Sequence, residues 1–140
     1  MGGPLLIAKS NRGAAFGDYD NDGDIDVLIS ALDDRPTLLR NDTAGGHWFT
    51  VRLEGTTSNR SAIGAKVTIQ TAGGQQTSEV RSGGSYISQN DSRAHFGLGD
   101  ARVVDTVSIR WPTGKIQTAR SLAADRFYVA TEGGAIQPGR

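Results

Sequence analysis

The stretch Asp18-Tyr19-Asp20-Asn21-Asp22-Gly23-Asp24-Ile25-Asp26 places an acidic residue at almost every second position. Its carboxylates fall at loop positions 1, 3, 5 and 9, and a further aspartate stands at position 7, where calcium loops offer a backbone carbonyl. The glycine at position 6 permits the sharp turn that such a loop needs. The stretch therefore predicts a calcium site with five ligand residues: Asp18, Asp20, Asp22, Asp24 and Asp26.

The residues after this loop show which kind of calcium loop it is. An EF-hand requires a glutamate at position 12 and flanking helices, but position 12 is Ile29 and the run Ile25–Ile29 is rich in β-branched residues. The loop is therefore expected to lead into a strand. Without a cation, the crowded carboxylates would repel one another, which favours a bound metal. The alternative is an acidic surface turn that binds nothing, because Asp-Asn-Asp-Gly is also good turn chemistry.

The composition of the whole chain favours strands over helices. At 140 residues it suits one domain, or one domain with a small appendage. Nineteen glycines and few large aromatic residues indicate short strands joined by tight turns. The chain has no cysteine, which excludes disulfides, a cysteine-ligated zinc site and a thiol nucleophile.

The formal net charge is zero, but the charges are segregated along the chain. Seven acidic and no basic residues lie between Asp18 and Asp34, whereas the chain from Arg35 onward carries a thin basic excess. This excess has no Lys/Arg run or interleaved aromatic residues, so we expect no nucleic-acid partner. No apolar run is long enough for a membrane span. The first residues lack the features of a signal peptide, so any secretion signal is expected upstream.

Strand and turn signals predict an all-β fold, with a β-sandwich or barrel of about seven short antiparallel strands preceded by a calcium-loop β-hairpin. We assign four segments: an N-terminal segment at 1–12, the hairpin at 13–44, the sandwich at 45–132 and a flexible tail at 133–140. Hairpin turns are expected at 72–75 and 112–114. The only helical turn is expected at 121–125.

The first third of the chain also resembles a known repeat. Residues 12–26, Arg-Gly-Ala-Ala-Phe-Gly followed by the aspartate stretch, are similar to the FG-GAP or VCBS repeat of integrin-like β-propellers. The resemblance implies the same five calcium ligands. One repeat cannot close a propeller, so the hairpin resembles a propeller-blade remnant whose bare strand edges need a partner. That partner is expected to be the sandwich or a second copy of the chain.

The remainder resembles the ASPIC/UnbV domain of the cartilage acidic protein-like family. The resemblance rests on motifs in a fixed order: His47–Leu53, Ser58–Ala65, Gly83–Gln89, His95–Gly99 and Arg110–Gly114. It implies an extracellular or cell-surface module associated with calcium. Adhesion, scaffolding or self-assembly through exposed β-edges is the function we expect, with the chain itself, an extracellular protein or a glycan as partner.

The alternative function is a carbohydrate-binding module or a weak glycoside hydrolase. Trp111 and the loop Ser85–Asp91 would form its sugar site, although a tryptophan before proline is more often a core residue. Glu54, Glu79 and Glu132 are scattered in sequence, and a triad of Ser85 or Ser88 with His95 and Asp91 lacks a nucleophile motif. We therefore expect no catalytic residues, although enzymatic activity stays an open question.

Overall fold

A computed structural model describes residues 7–43 and 45–139. These described residues contain eleven β-strands in three sheets and no helix, which confirms the all-β prediction. They separate into two compact units. The first unit comprises the described residues up to Thr43 together with Ser82–Asp91, and the second comprises the remaining described residues. Half of the 1–12 segment, residues 1–6, lies outside the described residues.

The first unit is an antiparallel sheet of three strands in the order β1-β2-β3. The strands are β1 (Asn11–Gly17), β2 (Asp26–Ala31) and β3 (Thr37–Leu39). The aspartate stretch connects β1 to β2, as expected from the β-branched run that follows it. Pro36 stands immediately before β3, where its missing N–H removes no ladder hydrogen bond.

The segment Ser82–Asp91 lies along the outer edge of β1, although it follows β1 by about seventy residues in sequence. The Asp91 amide donates to the Phe16 carbonyl oxygen at 2.9 Å, and the Phe16 amide donates to Asn90 Oδ1 at 3.1 Å. The β1 edge, expected to be bare, is therefore paired within the first unit by residues of this chain.

The second unit consists of two four-stranded sheets, ordered β11-β10-β4-β7 and β6-β5-β8-β9. Its strands are β4 (His47–Glu54), β5 (Lys66–Thr71), β6 (Gly74–Glu79), β7 (Ala94–Gly99), β8 (Val103–Arg110), β9 (Ile116–Ala123), β10 (Arg126–Thr131) and β11 (Ile136–Pro138).

One hydrophobic core joins the inner faces of these two sheets. Alternate residues such as Phe49 and Val51 on β4, and Val67 and Ile69 on β5, are fully buried, as the period of two in a strand requires. Trp111, which directly follows β8, is the largest side chain of the core. Two open sheets around a shared core form a β-sandwich, the first of the two architectures that the sequence predicted.

Three features of the sandwich differ from the sequence prediction. Strands β4 and β10 pair in parallel, whereas only antiparallel pairing was expected. Residues 136–138, assigned to a flexible tail, form β11 against β10, because the backbone continues the ladder from Tyr128 to Ala130. The expected helical turn at 121–125 is instead the end of β9 and the turn into β10, where Ser121 and Asp125 have φ of 57° and 56°.

The described residues include no helix with the length and apolar character of a membrane crossing.

Candidate metal site

The loop between β1 and β2 is folded around the carboxylate of Asp18. This side chain is only 4% exposed. Its Oδ1 accepts a hydrogen bond from the Asp22 amide at 3.1 Å, and its Oδ2 accepts one from the Gly23 amide at 3.0 Å. Asn21 and Gly23 have φ of 60° and 98°, so the loop uses residue types that tolerate the left-handed region.

Asp26, at the start of β2, fixes the base of the same loop. Its side chain is 2% exposed, and its Oδ2 accepts a hydrogen bond from the Tyr19 amide at 3.1 Å. Its Oδ1 accepts one from the Asn41 amide at 2.8 Å, just after β3. One carboxylate therefore joins the start of β2 to the loop and to the residues that follow β3.

Three of the five predicted ligand residues converge. Asp18, Asp20 and Asp22 each offer a carboxylate oxygen, and these oxygens lie within 4.8 Å of one another. An ion about 2.3–2.6 Å from each oxygen fits that spacing. Donors that are all oxygen suit a hard cation such as Ca²⁺ or Mg²⁺ better than zinc or copper. The cluster could therefore hold a metal ion, while Asp24 and Asp26 lie outside the converging group.

The carboxylate of Asp20 is destabilised in its charged form by its surroundings in the loop. The pKa of Asp20 is raised by the loss of solvent around its carboxylate and by repulsion from Asp22 and Asp26. Arg40 acts in the opposite direction, with its Nη1 3.8 Å from Asp20 Oδ2 and its Nη2 2.7 Å from Asp42 Oδ1. A cation in the loop would relieve the same repulsion.

The alternative sugar site does not form around Trp111. Its side chain is 2% exposed in the sandwich core, and its indole N–H donates to Gln117 Oε1 at 3.0 Å. A buried indole cannot stack on a sugar ring, so the interpretation of Trp111 as a core residue is the one the structure bears out.

The glutamates considered for hydrolysis have separate partners. Glu54 pairs with Arg52 at 2.7 Å, and Glu79 pairs with Arg81 at 3.1 Å, both at the surface.

The two histidines also have partners within the second unit. His47 Nδ1 lies 2.7 Å from Asp125 Oδ2, and His95 Nδ1 lies 2.8 Å from Thr50 Oγ1. In both cases the partner lies on or beside a strand of the same sheet as the histidine. These contacts orient the rings within the sheet.

Glu132, the third of the glutamates considered for hydrolysis, is a buried carboxylate with a structural role that the sequence did not predict. One oxygen accepts from the consecutive amides of Thr56, Thr57 and Ser58 at 3.0, 2.9 and 2.6 Å. The other accepts from the hydroxyls of Ser58 and Thr113 at 2.9 and 3.0 Å. Burial works against its ionised form, but the bonds from Ser58 and the two threonine amides outweigh burial and lower its pKa from 4.5 to about 2. No local motif near Glu132 signals this role.

Residues 55–137 match the family model described as ASPIC and UnbV. This chain belongs to the ASPIC and UnbV family. The match covers most of the sandwich and does not include the aspartate stretch, so family membership alone leaves the metal loop untested.

Three curated relatives share the same name, cartilage acidic protein 1. The mouse protein is 30% identical over 125 residues, covering 86% of this chain and 19% of the relative. The Xenopus tropicalis protein is 33% identical over 116 residues, covering 79% of this chain and 18% of the relative. The human protein is 30% identical over 125 residues, covering 86% of this chain and 18% of the relative. This ASPIC and UnbV chain thus spans about a fifth of the length of these relatives.

Proposed function

We propose that the chain is a calcium-binding extracellular β module for adhesion, scaffolding or self-assembly. The observation that carries the proposal is the convergence of Asp18, Asp20 and Asp22 at the head of the three-stranded sheet. In the proposed site these carboxylates hold Ca²⁺, and Asp24 and Asp26 complete the ligand set of an FG-GAP/VCBS-type repeat. The bound ion supplies positive charge that stabilises the loop joining β1 to β2.

The extracellular or cell-surface location is part of this proposal. Its support is the membership in the ASPIC and UnbV family and the name of the relatives, which refers to cartilage. Calcium loops of extracellular modules bind weakly, with dissociation constants of about 10⁻⁴–10⁻³ M, because calcium is abundant there. A loop with several exposed carboxylates fits that range of affinity.

The sheet of the first unit offers a surface for assembly. The buried hydrophobic residues of the described chain all belong to the sandwich. In the three-stranded sheet, by contrast, Leu28 and Leu38 lie side by side on one face with 47% and 46% exposure. Phe16, on the other face, is 46% exposed. A small sheet with apolar side chains on both faces favours association with a partner.

The edge of this sheet that remains for pairing is β3. The β1 edge is bordered by Asn90 and Asp91, whereas β3 ends the strand order of its sheet. In the proposed assembly, a strand of a second copy or of another extracellular protein adds beside β3 and covers Leu38.

A thermal melt with and without calcium tests the metal half of the proposal. Calcium is expected to raise the melting temperature, with a stabilisation of about 2.7 kcal/mol at a hundredfold excess over the dissociation constant. The double variant Asp20→Asn, Asp22→Asn should abolish the gain. The matched control Asp33→Asn, Asp34→Asn removes the same charge from the turn after β2. Calcium should still raise the melting temperature of this control variant. An equal gain in both double variants would contradict the proposed site.

Light scattering after gel filtration tests the assembly half. In calcium, the wild-type mass should rise with concentration, and Leu38→Lys should hold the chain as a monomer. Leu32→Lys is the control, because Leu32 is 53% exposed but lies beyond the end of β2. A strict monomer at high concentration in calcium would rule out self-assembly. The metal site would still be tested separately by the thermal melt.

A further inference from the structure

The outward face of the β11-β10-β4-β7 sheet carries an ordered cluster of aromatic and basic side chains. On β4 the residues Phe49, Val51 and Leu53 point into the core, so Trp48, Thr50 and Arg52 lie on the opposite face. The register places His95 of β7 and Phe127 of β10 on either side of Thr50.

Arg52 lies in the next row of the same face. Val129 of β10 is its direct neighbour on one side. On the other side, Val51 pairs with Ala94 of β7, so Arg93 stands one position further along, beside Arg52. Two guanidinium groups therefore start from neighbouring positions, one on β4 and one just before β7, next to a row of rings. We call Trp48, Arg52, Arg93, His95 and Phe127 the outer cluster.

The side chains of the outer cluster hold one another in place. The Trp48 and Phe127 ring centroids are 4.7 Å apart at 54°, and Trp48 stacks on His95 at 6.3 Å and 19°. Arg93 Cζ lies 5.0 Å from the centroid of the Phe127 ring, in cation–π geometry. Thr50 is 2% exposed beneath these groups and bonds to the His95 ring. Side chains that are already ordered lose less entropy when a ligand binds.

A cavity of about 230 Å³ opens beside this cluster. Its lining combines the two guanidinium side chains with apolar surface, and the lining residues are Arg52, Arg93, Phe127, Tyr128, Val129 and Gly139. Arg52 is 58% exposed and pairs with Glu54, which is 43% exposed. Such surface pairs are weak, so a ligand carboxylate can compete with Glu54 for the guanidinium group.

We propose that the outer cluster binds an acidic sugar, a pyranose ring bearing a carboxylate such as a uronic acid residue of a glycan. The guanidinium fork matches a carboxylate in two parallel hydrogen bonds. The partly exposed rings of Trp48 and Phe127 offer apolar area for the C–H surface of the sugar. A neutral sugar would leave the charges unused, and a bare anion would leave the aromatic surface unused. This proposal does not depend on the metal loop.

The two tryptophans provide a direct readout on the whole chain. Trp48 is in the outer cluster, whereas Trp111 is buried in the core, so a change in tryptophan fluorescence reports the cluster. The probes are a galacturonic acid tetramer, a glucose tetramer, a glutamate tetrapeptide and sodium sulfate, each titrated in calcium and in chelator. Only the galacturonic acid tetramer is expected to give a saturable change, of equal size in both conditions.

Charge-matched variants separate this site from general attraction between opposite charges. Arg93→Gln and Arg52→Gln should each weaken binding of the galacturonic acid tetramer by about tenfold, the loss of one charged hydrogen-bond donor group. Arg120→Gln, on the exposed surface of β9 in the other sheet, should leave the affinity unchanged. Glu54→Gln should strengthen binding, because it removes the competing carboxylate. Arg93→Lys should weaken binding, because lysine keeps the charge but lacks the planar guanidinium group that donates two parallel hydrogen bonds.

Several results would overturn the proposal. An equal loss of affinity in Arg120→Gln would show that binding is non-specific attraction between opposite charges. Equal binding of the glutamate tetrapeptide would assign the cluster to acidic peptides, and equal binding of sulfate would assign it to simple anions. The absence of a saturable change in the wild-type chain would remove the site altogether. So would an unchanged affinity in Arg52→Gln and Arg93→Gln variants whose melting temperatures match wild type.

Discussion

The backbone amide of Asp91 lies 2.9 Å from the carbonyl oxygen of Phe16, to which it donates a hydrogen bond. The contact adds a late segment of the chain to the sheet of the earliest strand. Gly13 makes it possible, because a Cβ at this position would lie 2.6 Å from the Tyr86 carbonyl oxygen and 3.0 Å from that of Ile87. The first unit therefore depends on a backbone approach that only glycine permits.

Gly13→Ala is expected to push the segment Ser82–Asp91 away from β1. Forcing a methyl group into so tight a contact costs about 1–3 kcal/mol. Hydrogen exchange should show lost protection at the Asp91 and Phe16 amides. Gly97→Ala is the matched control, because nothing lies within 4 Å of a Cβ added there. Unchanged protection at Asp91 in Gly13→Ala would show that the loop is not held by this contact.

Removing Arg40 is expected to increase calcium affinity a few-fold. Its guanidinium group lies 3.8 Å from Asp20 Oδ2 and competes with a cation for that carboxylate. Isothermal titration of Arg40→Gln with calcium measures the change, and high salt should reduce the difference by screening. Arg35→Gln removes the same charge from the turn before β3 and should have little effect. An unchanged affinity in Arg40→Gln would mean that Asp20 does not bind the ion.

Glu132 should make the stability of the sandwich depend on pH in acid. Its folded pKa of about 2 lies below the ordinary value of 4.5, so its stabilising effect is present above pH 4.5 and is lost as pH falls towards 2. Glu132→Gln should therefore have a lower free energy of unfolding than wild type at neutral pH. The difference between the two free energies should shrink between pH 4.5 and 2.

Denaturant unfolding at a series of pH values measures this effect. The difference in the free energy of unfolding between wild type and Glu132→Gln is compared across pH, because the titration of the other carboxylates cancels in that difference. Glu79→Gln, at an exposed pair with Arg81, is the control and should give a small difference at every pH. A difference for Glu132→Gln that stays constant down to pH 2 would contradict the lowered pKa.

Two isoleucines at opposite extremes of exposure test the assignment of the core. Ile109 on β8 is fully buried, and Ile116 on β9 is 68% exposed. Ile109→Ala should lower the free energy of unfolding by about 2–5 kcal/mol, because it leaves a cavity. Ile116→Ala should cost less than about 1 kcal/mol, mainly in strand propensity. Equal losses in the two variants, measured by denaturant unfolding, would place the core elsewhere.

The strand and turn signals of the sequence were sufficient to predict an all-β sandwich or barrel. Val67, Ile69 and Thr71 alternate with polar neighbours, and all three are buried on β5 as that alternation requires. The same pattern could not reveal the parallel pairing of β4 with β10, because alternation fixes the face of a residue but not the neighbour of its strand. It also missed β11, whose short sequence between Gly134 and Gly139 has turn composition.

The sequence by itself determined the acidic loop, since its ligand candidates lie within nine residues and their spacing follows from local turn geometry. Only the tertiary structure decided which of those carboxylates converge and which accept hydrogen bonds from backbone amides. It also decided that Ser82–Asp91 belongs to the first unit. It further decided the hydrogen bonds of Glu132 and the juxtaposition of side chains that forms the outer cluster. Each of these brings together stretches that are far apart in sequence, and such pairing is a non-local property that no short window of sequence contains.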